Sequence, residues 1–308
     1  MTLRTTLILS FIVACGLPLL VFWLWPHSRA LEAEVKAAEA RHLLLARSAA
    51  ETLDVYKRNV SATFGALSER LLDGEDIGFA RPMLKAQSFT HLCVVDRRTG
   101  AVLDYYSLAE QPLPDRLPPP LLAELERKIA SGEPVLSTVW RGGAGHPQLL
   151  IARAEGARIV FASVTSDFVA EVAGAIAFER RGHAAVIDAR GRLLAHPDAS
   201  WVAEARDLGG IAEIRATRGA REPGVIVFDS PKFGERVIAG VATVGESGWR
   251  VLVPQPLSDM RRHVVGARVS ASLVFSAGLA LSLLVALATA TLISLPLREI
   301  ARAADAMA

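Results

Sequence analysis

Two uncharged apolar runs constrain where this chain can fold. The first, LILSFIVACGLPLLVFWLW from Leu7 to Trp25, is close to the roughly 20 residues a helix needs to cross the hydrocarbon core of a bilayer. The second runs from Val269 to Leu297 and is long enough to span with some tilt. The spacing predicts transmembrane helices over 7–25 and 269–295. The polar-patterned residues between them must then fold together on one side of the membrane. A mean hydropathy of +0.32 agrees with a chain that is partly meant for lipid.

Two spans put both termini on the same side. Arg4, Arg298 and Arg302 flank one side, and Arg29, Arg261, Arg262 and Arg268 the other. Long loops translocate largely regardless of charge, so the short tail 1–6 decides: both ends are expected in the cytoplasm and the large region outside. Ile12-Val13-Ala14-Cys15 has the look of a lipoprotein cleavage box. The chain stays strongly apolar for ten residues after Cys15, which favours an uncleaved anchor. Lys plus Arg (34) nearly balance Asp plus Glu (32), and the net charge of +2 is spread evenly, which argues against a nucleic-acid partner. With only Cys15 and Cys93, and Cys15 inside an apolar run, no disulfide framework is expected; Cys93 reads as a small buried strand residue.

Residues 27–72 predict one long helix. They hold no proline after Pro26, one glycine (Gly65), and many Ala, Glu, Leu and Arg. Leu31, Val35, Leu45, Leu53, Val60, Phe64, Leu67 and Leu71 give it one apolar side. Two readings of that side stand: it packs on the domain beside it, or part of it is a dimer seam.

After Pro82 the texture changes to short strands, and an internal repeat organises them. VVDRRTGAVL (94–103) matches VIDARGRLL (186–194) with one residue dropped in the turn. GARIVF with Ser166-Asp167-Phe168 aligns without gaps to GWRVLV with Ser258-Asp259-Met260. Two matches in the same order, about 92 positions apart, imply tandem modules of similar fold. Strands are predicted near 91–96, 101–106, 135–141, 147–153 and 158–164, and again near 184–188, 192–196, 225–229, 236–243 and 249–253. Short turns favour antiparallel sheets. Thr165 or Ser166 can cap a linking helix through 167–179, and Ser258 a helix running into the second span.

This order of anchor, long helix, two strand-rich modules and second anchor resembles the double Cache sensor domain, a pair of PAS-like folds on bacterial transmembrane receptors. GHAAVIDARGRLLAHPD (182–198) looks like the start of the membrane-proximal module, GWRVLVPQPLSDM (248–260) like its close, and GARIVFASVTSDF (156–168) like the end of the distal one. Residues 296–308 look like the first helix of a HAMP linker. The resemblance implies an α+β fold: the long helix, a distal module over 73–165, a linking helix over 166–181, a proximal module over 182–265, and the two spans. It further implies a small-molecule pocket in the distal module near Tyr105, Tyr106, Trp140 and Arg141. Aromatic walls exclude water there, and an arginine fork takes a carboxylate bidentately. Adjacent Tyr105 and Tyr106 point to opposite faces of one strand, so at most one lines such a pocket. Asp104 and Asp167 are weaker candidates, since Asp167 favours a helix dipole without any ligand. The segment 113–140 offers Arg116 but no Arg-x-Trp-Tyr run of the amino-acid-binding members, which leaves a small organic acid as the expected ligand.

No catalytic constellation emerges. Gly142-Gly143-Ala144-Gly145 lacks the lysine and hydroxyl of a phosphate loop and reads as a hairpin tip. His183 and His196, at opposite ends of a predicted hairpin, have no metal spacing, and His196 is expected to be structural. No metal and no cofactor are implied. The expected protein is a non-enzymatic, homodimeric receptor of the inner membrane, passing a signal to a kinase, chemoreceptor or cyclase module beyond Ala308. The rival is an envelope scaffold that binds a protein.

Overall fold

The computed structural model describes residues 13–14, 16–17, 27–108, 114–130, 138–141, 147–176, 182–259, 272–289 and 291. It divides into two compact units, residues 39–257 in one and residues 1–38 with 258–308 in the other.

Helix α1 (His27–Leu72) forms as the composition predicts. Its buried stripe is Ala46, Ala49, Ala50, Leu53, Tyr56, Val60, Phe64, Leu67 and Leu71, a three-and-four spacing that keeps one face on the core. Leu45 is only half-buried and Ala46 takes its place in the stripe. The stripe packs on the domain, the first of the two readings; Leu44 and Val55 on the far side are exposed.

A short helix α2 (Arg81–Ala86) leads to β1 (Phe89–Asp96) and β2 (Val102–Ser107). Helix α3 (Pro119–Ala130) starts on prolines, which suit a first turn whose N–H groups have no partner. Strands β3 (Thr138–Arg141), β4 (Pro147–Glu155) and β5 (Arg158–Thr165) complete a sheet of order β2-β1-β5-β4-β3. Helix α4 (Asp167–Ala175) follows. Then come β6 (Ala185–Ile187), β7 (Leu193–Ala195), α5 (Ala199–Ala203), α6 (Ala212–Ala216), β8 (Gly224–Ser230), β9 (Glu235–Val244) and β10 (Trp249–Pro256). The second sheet has order β7-β6-β10-β9-β8, the same path as the first, and every pairing in both is antiparallel.

The repeated turn explains why the hairpins match. Asp96 Oδ1 accepts from the Thr99 N–H at 2.7 Å and the Arg98 N–H at 3.2 Å, and Asp188 Oδ1 from the Arg190 N–H at 2.9 Å and the Arg192 N–H at 2.8 Å. Gly100 (φ 70°) and Gly191 (φ 98°) sit in the left-handed region that a side chain would resist.

One face of each sheet joins a single core on α1, from Leu92, Val94 and Val160 through Val186 to Trp249 and Val251. The distal sheet's other face is covered by Leu117, Leu121 and Leu125, from α3 and the segment before it. The proximal sheet's other face packs Leu208 and Ile214. Cys93 is buried and free, and burial pushes its thiol pKa up.

Ser166 holds the N-cap position of α4, but its side chain makes no capping bond. Thr165 Oγ1 instead donates to Asp167 Oδ2 at 2.7 Å, and the Asp167 carboxylate sits in the positive first turn. Among the described residues, one helix is long and apolar enough to cross a membrane, α7 (Ser272–Thr289, mean hydropathy 2.1 over that window). Most of the first span, the exit helix beyond Asp259, the glycine-rich tip at 142–145 and residues 296–308 lie outside the described residues.

Candidate functional site

The outer face of the distal sheet, the one turned toward α3, is divided in two. Toward the Asp96 turn it is apolar, with Cys93, Val95, Ile159 and Phe161 closed under α3. Toward the other end the same face turns polar, because alternation carries it from Cys93 to His91, from Phe161 to Ser163 and from Leu150 to Gln148. One register row crosses all five strands: Ser107, His91, Ser163, Leu150 and Thr138.

A bulge between Phe89 and His91 gathers this row at its centre. The extra residue, Thr90, puts its hydroxyl on Ser163 Oγ and donates to the Ser163 carbonyl at 3.1 Å, while His91 Nδ1 lies 3.3 Å from Ser163 Oγ. Ser163 is buried and His91 half-buried. Hydroxyls and an imidazole fixed on a rigid sheet can orient the polar end of a small molecule.

The residues singled out from sequence fall around this row. Tyr105 is 49% exposed and pairs with Cys93, one step toward the apolar half; Tyr106 packs on the α1 core, so the two do point to opposite faces. In backbone register Trp140 lies opposite Gln148 and Arg141 opposite Pro147, on edge strand β3. Strands β2 and β3 are the two edges of the sheet, four spacings or about 19 Å apart. Tyr105 and Tyr106 thus lie on one edge strand and Trp140 and Arg141 on the other, with His91 and Ser163 on strands between them. The signal that could have found these two is the polar interruption of an apolar strand, Thr90-His91 before Leu92 and Ser163 between Ala162 and Val164. Arg116 stands at the Gly100 turn, bridged to Ala101, away from the row. Asp104 is exposed.

His183 and His196 do come together. They flank the open end of the β6–β7 hairpin, where the pairing of Val186 with Ala195 puts their rings 5.0 Å apart. Among the described residues no group of three or more His, Cys, Asp or Glu could hold a metal ion.

No family model matches the chain, and no curated protein does. Solved structures match its fold. The ligand-binding domain of the Pseudomonas aeruginosa PAO1 amino acid chemoreceptor PctB, in complex with L-Arg, aligns with a TM-score of 0.54 at 14% identity, over 73% of this chain and 97% of that one. An extracellular domain named as that of a histidine kinase, rpHK1S-Z16, aligns with a TM-score of 0.58 at 13% identity, over 73% and 96%. The ligand-binding domain of Mlp24 with asparagine gives 0.51 at 12%, over 77% and 98%. The fold is thus shared with ligand-binding and extracellular domains of chemoreceptors and histidine kinases.

Proposed function

We propose that this chain is the sensory part of a bacterial transmembrane receptor, whose periplasmic double Cache domain binds a small carboxylate on the polar row around His91 and Ser163. Organic acids and amino acids both fall in that class. The observation that carries the reading is the pair of sheets with one strand order on a shared helix, in the fold of domains solved with small ligands in place. The apolar helix Ser272–Thr289 next in the chain supports attachment to a membrane. A Cβ on Gly16 would lie 3.9 Å from Leu279 Cδ1, which supports a second span beside it. In this reading both termini are cytoplasmic, residues 296–308 begin a HAMP linker, the receptor is a homodimer without enzymatic activity in these residues, and ligand shifts a population of conformers that the second span reports.

The test is a thermal-shift screen of the full chain in lipid nanodiscs against organic acids, amino acids, amines and purines. A carboxylate at 100 times its Kd should raise the melting point by roughly 5 °C, and Ser163→Ala or His91→Ala should remove that shift without lowering the unliganded melt by a comparable amount. A folded protein that is silent to the whole panel, or a shift that survives both variants, would sink the reading in favour of a scaffold for a protein partner.

A further inference from the structure

A cavity of about 400 Å³ lies between α4 and the proximal module, away from the polar row. Ala173 and Gly174 of α4 wall one side; His183, His196, Lys232 and Phe233 wall the other. It is within the range of small-molecule sites, and like them it is apolar with a few polar groups converging.

Those polar groups are held in place. The Asp198 N–H donates to His196 Nδ1 at 2.9 Å, which leaves the proton of the neutral ring on Nε2 as a donor. The His196 ring stacks on Trp201 at 4.9 Å and meets His183 edge to face. Phe233 lies 5.5 Å from His183. Lys232 Nζ bonds Asp198 Oδ2 at 2.5 Å, and Arg206 covers Trp201 at 4.0 Å. Among the described residues the charges around the two imidazoles are Lys232, Arg206 and Asp198, a positive balance of one, and α4 with the residue after it lines the cavity with Ala, Gly and Ile.

We propose that this cavity is a second ligand site, for a monocarboxylate with an apolar body, its carboxylate on Lys232 and the His196 imidazole and its body against Ala173, Gly174 and Phe233. Because α4 follows the last distal strand directly, an occupant would tie the distal module's exit to the proximal one. The site goes beyond the sensing proposed for the polar row and does not depend on it.

Burial, then His183, then Lys232 lower the His196 pKa to about 4, so the His196 ring is uncharged near neutrality. The neutral ring already offers its Nε2–H to a carboxylate and its Nδ1 is held by the Asp198 N–H, so binding takes up no proton at the imidazole. The probe is benzoate, titrated calorimetrically into the full chain in nanodiscs between pH 5.5 and 7.5, in buffers of different ionisation enthalpy. Expected are a binding enthalpy independent of the buffer, affinity nearly flat across that pH range, at least tenfold weaker binding in Lys232→Gln, and loss of binding in Gly174→Leu. Nothing lies within 4 Å of a Cβ at Gly174, so leucine there fills the cavity without a backbone clash. No binding of benzoate, benzamide binding as tightly as benzoate, or undiminished binding in Gly174→Leu would overturn the proposal. Binding lost in Ser163→Ala but kept in Gly174→Leu would also overturn it, while leaving the polar row intact as a site.

Discussion

Arg250 is 2% exposed, and its Nη1 donates to the Ile214 carbonyl at 2.6 Å and to Thr217 Oγ1 at 2.7 Å, holding the C-terminal end of α6. A cation satisfying the last carbonyls of a helix is favourable in both hydrogen bonding and dipole. Among the described residues its Nη2 has no hydrogen-bond partner, so part of that gain is lost to desolvation. Two truncations should therefore behave differently. Arg250→Ala removes the stem as well as the bonds and should cost about 3 kcal/mol; Arg250→Met keeps the volume, removes the unpaired nitrogen and should cost about 1 kcal/mol or less. Urea midpoints of the two variants decide it, and equal costs would mean that the bonds, not the packing, matter most. In sequence Arg250 lines up with Arg158, whose Nη1 reaches the Leu72 carbonyl at 3.0 Å from an exposed position. In the sheets, however, Ile187 faces Arg250 while its counterpart Val95 faces Ile159. The turn from Glu155 to Arg158 has two residues and that from Val244 to Trp249 has four, so the repeat slips by one and the side chain changes face.

The element that most depends on close approach is α1. Its stripe uses Ala46, Ala49 and Ala50 in the stretch that meets the proximal module, and β9 answers with Gly240. A Cβ at Gly240 would stand closer than 3.0 Å to His42 C and O and to Leu43 N, backbone atoms that cannot turn aside. Gly240→Ala must then lift the helix from the sheet, and we expect a loss of 2 kcal/mol or more, on the order of overpacking costs in tight cores. Gly174→Ala, in a helix with open space at its Cβ, should instead gain up to about 1 kcal/mol from helix propensity. Denaturation curves of both show whether contact or propensity decides; a neutral Gly240→Ala would mean that the helix yields easily. Periodicity made the strands and α1 legible, and the internal repeat the two sheets of one strand order, since α1 keeps a 3.6-residue stripe and β1 and β5 follow tight turns. The polar row was not legible, because it exists only once Ser107, His91 and Ser163 are set in register by pairings of strands far apart in sequence. The meeting of His183 with His196 is also a product of pairing, and a hairpin closed at Asp188 could have predicted it.

For the unit spanning residues 39–257, the shared core has a consequence for cooperativity. Leu92 and Val160 of the distal sheet and Val186 and Val251 of the proximal sheet belong to one buried cluster along α1, so neither module can lose its inner face without exposing part of the other's. We expect a single unfolding transition, and Leu92→Ala should lower the protection of amide hydrogens in β10 as well as in β1, by the 2–5 kcal/mol typical of such truncations. Protection lost in β1 alone would mean two independent folding units. The same transition should be acid-sensitive. His42 is fully buried, and burial, followed by the nearby Arg41 charge, lowers its pKa from 6.5 to about 4. The unfolded chain binds that proton first as pH falls, so the stability tied to neutral His42 is complete above about 6.5 and is lost progressively as pH drops toward 4, up to roughly 3 kcal/mol. His196, lowered for the same leading reason, steepens the loss in the same window. Denaturation midpoints measured from pH 7.5 to 4.5 should fall, and in His42→Leu the slope should shrink by about one proton; an unchanged slope would place the acid sensitivity elsewhere.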